Sequence, residues 1–215
     1  MRNKFDEQLN LLNQELIRMG NYVETAIATA VKTLTAPDQK LTQQAVGLES
    51  EIDDKEREIE SICYKLLLHQ QPVARDLRVI SAALKMITDM ERIGDMAMDI
   101  SEITLSGEFP SKLREPVHIS QMAASTIEMV NNSIEAYVKK DASLAFSVID
   151  ADDKVDALFQ TVQNELVELI REDRNSGAGA MDLLMIAKYF ERIGDHATNI
   201  AEWVVFSITG EHPAN

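Results

Sequence analysis

Cysteine is nearly absent from this chain: Cys63 is the only one among 215 residues. A lone thiol cannot close an internal disulfide, so a reducing, cytoplasmic compartment is expected. Positive charge is scarce too, with 21 Lys and Arg against 36 Asp and Glu, for a net charge of −15. A nucleic-acid binder needs a basic surface and a peripheral membrane anchor needs a polybasic patch; neither is expected here. Apolar runs are short, and Trp203-Val204-Val205-Phe206 falls far below the ~20 residues of a membrane span. The opening residues carry acids throughout and lack a basic start followed by an apolar block, so no secretory signal is expected. Aromatics make up only 5% of the chain. Ala, Leu, Ile, Met, Glu and Gln dominate instead, which favours helix.

The apolar pattern agrees. Phe5, Leu9, Leu12, Leu16, Met19, Val23, Ala26, Ala30 and Leu34 step by three or four, as one long amphipathic helix does. Pro37-Asp38 ends it. Leu41, Ala45, Leu48, Ile52, Ile59, Ile62 and Leu66 form a second stripe, which Gln71-Pro72 breaks. Leu77, Ile80, Leu84 and Ile87 begin a third. Ser106-Gly107-Glu108-Phe109-Pro110 and Pro116 make the strongest break, read as a linker between residues 1–107 and 108–215. Three more helices are predicted over Ile119 to Tyr137, Leu144 to Leu169 and Leu183 to about Ile208. Asn175-Ser176-Gly177-Ala178-Gly179-Ala180 is read as the separator before the last. The predicted fold is all-α, because such helices can bury their stripes only against one another.

A repeat refines this. Glu91-Arg92-Ile93-Gly94-Asp95 recurs as Glu191-Arg192-Ile193-Gly194-Asp195. In the same register Leu84 matches Leu184, Ala97 matches Ala197, Ile100 matches Ile200 and Glu102 matches Glu202. The halves therefore read as two similar three-helix units.

The repeated word sets Glu and Asp four residues apart, about 6 Å along one helix face. Like charges at that spacing repel unless something compensates. Glu91 and Gly94 continue the apolar stripe of their helix, and Glu191 and Gly194 do the same. A mid-helix glycine costs about 1 kcal/mol relative to alanine, so a glycine in both places implies that room is needed there. The second helix of each half carries matching pairs, Glu49 with Asp53 and Asp152 with Asp156. Asp99 extends the first set by a turn, and Asn199 stands in the equivalent place. Arg92 and Arg192 sit alongside. A single acidic pair in so acidic a chain is ordinarily a solvated face. Four pairs placed symmetrically, two with glycine beside them, point to metal ligation. Oxygen donors suit Mg²⁺, Ca²⁺, Mn²⁺ or iron, and His196 adds a nitrogen in the second half.

His69, His118 and His212 read as surface residues, Cys63 as a small core residue and the methionines as core filler. Arg75-Asp76-Leu77-Arg78 reads as a helix start whose arginines are also able to meet an anion.

Gln71-Pro72-Val73-Ala74-Arg75-Asp76-Leu77-Arg78, then Glu91 to Asp95, then Glu191 to Glu202, in this order on one chain, resemble the PhoU family of bacterial phosphate-uptake regulators. The resemblance implies two three-helix bundles related by a pseudo-two-fold, with metal, iron or zinc, at the repeated acidic motifs. It implies a cytoplasmic, non-enzymatic negative regulator of phosphate uptake and phosphate-starvation signalling. The implied partners are the ATPase of the phosphate ABC transporter, a phosphate-sensing histidine kinase and a second copy of the chain. The ligands carried over are Glu49, Asp53, Glu91, Asp95, Asp99, Asp152, Asp156, Glu191, Asp195 and Asn199. The competing reading is a di-metal carboxylate oxidase or oxygenase. Such bundles use Glu-x-x-His, whereas Glu91 and Glu191 are each followed at that spacing by glycine.

Overall fold

The computed structural model describes residues 2–36, 38–69, 72–107 and 117–213. Pro37, Gln71 and the linker residues Glu108 to Pro116 lie outside the described residues. Six long helices run in order: α1 (Arg2–Thr35), α2 (Gln39–His69), α3 (Ala74–Ser106), α4 (Val117–Lys139), α5 (Ala142–Glu172) and α6 (Gly177–Thr209). A single 3₁₀ turn, Arg174–Ser176, joins the last two. Among the described residues there is no strand, and no helix is long and apolar enough to cross a membrane.

Local chemistry sets the helix boundaries. The Asp38 carboxylate accepts from the Lys40 backbone N–H at 3.0 Å and opens α2. Asp76 reaches back to the Val73 N–H at 3.2 Å, so this acid of the Arg75–Arg78 segment caps α3. Asp141 accepts from Leu144 N–H at 3.0 Å and opens α5. The start of α6 differs from the sequence reading. Gly177-Ala178-Gly179-Ala180 is not a separator but the first turn of the helix. Gly179 and Ala180 are buried, and packing outweighs the weak helix preference of glycine.

In each half three helices pack together: α1, α2 and α3, then α4, α5 and α6. The halves meet along α3 with α6 and α1 with α4, leaving α2 and α5 outside. One continuous core results. It runs from Leu12, Leu16 and Met19 of α1 through Met86, Met90 and Ala97 of α3 to Phe190, Ala197 and Val204 of α6. Cys63 lies fully in this core, and burial pushes its thiol up to about 12, which leaves it inert. Met181 and Met185 depart from the core-filler reading and are exposed.

Two polar contacts report the repeat directly. Across the α3/α6 seam Asn199 Nδ2 lies 3.4 Å from Asp89 Oδ1. A shift of one hundred residues turns that pair into Tyr189 and Asp99, and burial together with the neighbouring Asp99 raises the Tyr189 hydroxyl's pKa.

One charge inside the first half is satisfied across helices. Glu15 of α1 is buried, and Lys55 of α2 donates to it at 2.6 Å while Arg18 donates at 2.8 Å. Lys55, which interrupts the apolar stripe of α2, therefore serves the packing of α1 on α2. Lys55→Ala is expected to cost about 2 kcal/mol, since Arg18 still covers one Glu15 oxygen. Urea unfolding checks this; an unchanged midpoint would mean the pair contributes nothing.

Candidate metal centres

In the first half α2 and α3 lie close enough to bring acids of both helices together. One carboxylate oxygen each from Glu49, Asp53 and Asp95 lies within 4.8 Å of the others. Glu91 borders this group. Burial, followed by the charge of Asp95, raises its pKa above the usual carboxylate range. Asp95 is raised by burial and by Asp53, and Glu49 by burial, Asp53 and Asp95. Arg92 offsets part of the repulsion, with its guanidinium 3.4 Å from Glu91 and 3.3 Å from Asp95.

Glu56 belongs to the same neighbourhood and the sequence reading missed it. It accepts from the Thr88 hydroxyl at 3.3 Å, and burial raises its pKa, with Asp53 contributing. The available signal was its position three residues after Asp53, on the same helix face.

The second half sets Asp152, Glu191 and Asp195 near one another, but among the described residues the converging triad is found in the first half alone. Asp152 of α5 has its pKa pushed up to about 6 by burial, then by the charges of Asp195 and Asp156, with Glu191 also contributing. Asp152 Oδ1 is buried with no hydrogen-bond partner. Asp195 is raised by burial and by Glu191. Here the compensating cation is Lys188 rather than Arg192: its ammonium donates to Glu191 Oε1 at 2.5 Å. Arg192 makes no ion pair among the described residues.

The two motif glycines set how closely the helices meet. A Cβ on Gly94 would lie 2.8 Å from Ile52 Cδ1, and one on Gly194 would lie 3.2 Å from Asp152 Oδ1. The room expected beside the acids is therefore filled by the neighbouring helix, by Ile52 in one half and by Asp152 with Val155 in the other.

Asn199 is not drawn into these groups, and Asp99 reaches the first of them through its charge, which helps raise Asp95. Both turn to the α3/α6 seam, Asp99 toward Tyr189 and Asn199 toward Asp89. The reason is helical geometry. Each step of four residues overshoots a turn, so two steps from position 91 rotate the side chain by roughly 80°. His196 faces the same seam, its Nδ1 2.8 Å from Asp89 Oδ1. Asp156 is exposed at the rim of the second cluster. His118 lies against Glu165 at 2.7 Å. His212 stacks on Phe206 with ring centroids 4.6 Å apart.

The donor set fits a hard or borderline cation. It is all oxygen and draws on two helices in each half, with a converging triad in the first half and, in the second, a buried Asp152 oxygen without a hydrogen-bond partner. Glu49, Asp53 and Asp95, with Glu91 beside them, would hold an ion in the first half. Asp152, Glu191 and Asp195, with Asp156 at the rim, would do so in the second.

Comparison with known proteins adds a family context. A family model described as the PhoU domain matches twice, at residues 16–104 and 119–204. The phosphate-specific transport system accessory protein PhoU homolog of Clostridium acetobutylicum is 35% identical over 213 residues, covering 98% of this chain and 96% of that protein. Its counterpart in Pseudomonas aeruginosa is 34% identical, covering 96% of this chain and 86% of that protein. The crystal structure of PhoU from Pseudomonas aeruginosa superposes with a TM-score of 0.88 at 33% identity, covering 96% of this chain and all of that one.

Proposed function

The chain belongs to the PhoU family, and from that premise we propose that it is a cytosolic, non-enzymatic negative regulator of phosphate uptake and phosphate-starvation signalling. The observation that carries this reading is near-complete coverage of relatives named as accessory proteins of the phosphate-specific transport system. The proposed partners are the ATPase of the phosphate ABC transporter and the phosphate-sensing histidine kinase, met by a homodimer of this chain. The net charge of −15 supports association with basic partner surfaces that weakens as salt rises.

The two acidic clusters are proposed to hold multivalent cations, with iron, zinc, manganese, magnesium or calcium as the ions to test. A bound cation would supply fixed positive charge between two helices. The protein's own residues do the rest. Through such an ion Glu49 and Asp53 would tie α2 to Asp95 of α3, and Asp152 would tie α5 to Asp195 of α6. Gly94 and Gly194 allow the approach. A cluster loaded in this way is a stiff, charge-compensated helix pair, suited to presenting a constant surface to a partner.

Deleting the gene tests the regulatory reading. Cells grown in abundant phosphate are expected to accumulate phosphate several-fold above the parent strain and to express starvation genes. Normal accumulation and silent starvation genes in the deletion strain would contradict it.

A further inference from the structure

The two clusters differ in their cations and in one acid: Arg57 and Arg92 stand beside the first, and Lys188 stands beside the second. In the first half Thr88 of α3 meets Glu56 of α2, its hydroxyl 3.3 Å from the carboxylate. One hundred residues on, Lys188 takes the place of Thr88. On the outer helices Glu49 and Asp53 correspond to Asp152 and Asp156 at an offset of 103, which places Phe159 where Glu56 stood. The second half therefore loses an acid and gains an ammonium at the same spot.

The exchange is coherent in space. Lys188 Nζ lies 5.3 Å from the centre of the Phe159 ring and 2.5 Å from Glu191 Oε1. The phenyl face favours the ammonium, and the carboxylate fixes it. Glu191 is the counterpart of Glu91, whose own cation is the exposed Arg92 at 3.4 Å. An exposed guanidinium is screened and easily displaced. Lys188 is itself about half exposed, but it is held at both ends, by the ring and by a largely buried carboxylate.

We infer that Lys188 acts as a tethered cation that partly fills the electrostatic role of a metal in the second half, so that the two clusters load unequally. The first cluster, with a converging triad, Glu56 added and only the exposed Arg57 and Arg92 beside it, takes a divalent ion more tightly. The second must displace or repel Lys188 to take one. This rests on the metal reading above and deepens it: one chain carries a tight site and a weak, adjustable site. The triad of the first half and the tethered ammonium of the second together set the difference.

Manganese binding to the full-length, metal-free protein tests it, with titration calorimetry as the readout and Mn²⁺ as the probe, Zn²⁺ and Fe²⁺ being titrated in parallel. The wild type is expected to show two classes of site, separated by roughly tenfold or more in dissociation constant, as one nearby charge at partial exposure implies. Lys188→Thr should tighten the weak class by about tenfold and leave the tight class unchanged. Thr88→Lys should weaken the tight class by a similar factor. Asp152→Asn with Asp195→Asn should remove the weak class alone, which assigns it to the second half. Two indistinguishable classes in the wild type, or a weak class that Lys188→Thr does not move, would overturn this inference and leave the metal reading standing. Absence of Mn²⁺, Zn²⁺ and Fe²⁺ binding to either half would overturn both. Circular dichroism of each variant confirms that the helices are retained.

Discussion

Removing metal at neutral pH is expected to lower the melting temperature of this protein by roughly 5–10 °C per cluster that had been filled. An ion present at a hundred times its dissociation constant stabilises the native state by about 2.7 kcal/mol. In a domain of this size that corresponds to roughly 2–4 °C per kcal/mol. The pH dependence follows from the same carboxylates. Asp152 is raised from 3.8 to about 6, and Glu49, Glu56, Glu91, Asp95 and Asp195 are all raised as well. A carboxylate whose folded pKa exceeds its unfolded value binds protons on folding. Its favourable contribution is full below the unfolded value, near 4, and is lost as pH rises through the folded value, near 6 for Asp152. The metal-free protein should therefore gain stability from these groups as pH falls from 7 toward 4.5, the reverse of ordinary acid destabilisation. Metal competes with protons for the same oxygens, so its stabilising effect should grow over that range as pH rises. Differential scanning calorimetry from pH 4.5 to 7.5, with chelator and with added Mn²⁺, checks both signs. Identical melting curves with and without metal would reduce the clusters to surface ion pairs.

The second large effect concerns Gly94. Gly94→Leu is expected to destabilise the fold by about 3 kcal/mol, because it adds four carbons where a single Cβ would already come within 2.8 Å of Ile52 Cδ1 and 3.3 Å of its Cγ2. Ile52 is buried and cannot swing into solvent, so α2 must move away from α3. Asp53, next in the chain, moves with it, and the Glu49–Asp53–Asp95 triad opens. The variant should lose most of the first cluster's metal-dependent rise in melting temperature as well as its baseline stability. Gly94→Ala separates the two causes. It asks only the terminal methyl of Ile52 to shift, and gains about 1 kcal/mol of helix preference in compensation, so it should be near neutral. Gly47 has open space around it, and Gly47→Ala should be stabilising by about 1 kcal/mol. Chemical denaturation of the three variants gives the comparison. A Gly94→Leu protein as stable as the wild type would show that the α2/α3 approach is not set by this contact.

The helices were legible because long stripes such as Leu12, Leu16, Met19 and Val23 leave little choice of period. The repeat was legible because five identical residues fix a register that four others keep. Two features escaped for physical reasons. The Gly177–Ala180 run looks like a break by residue preference, and only burial of Gly179 and Ala180 against the other helices makes it helical. Asp99 and Asn199 extend an i,i+4 series on paper, but a turn of 3.6 residues carries them off the acidic face to the α3/α6 seam. The same limit hid Glu56 and Lys188. Their roles depend on what α2 and α5 place opposite them, and spacing along a single helix does not contain that. The acids that did converge, Glu49, Asp53 and Asp95, come from two helices of one predicted three-helix unit.

The most direct test of the account is phosphate uptake in phosphate-rich medium by cells in which this chain is replaced by a version carrying Glu91→Gln, Asp95→Asn, Glu191→Gln and Asp195→Asn. All four side chains border the core rather than fill it, so the variant should stay helical and accumulate to normal levels. Uptake close to that of the deletion strain is expected. Uptake restrained as fully as by the wild-type chain, at equal protein level, would contradict it.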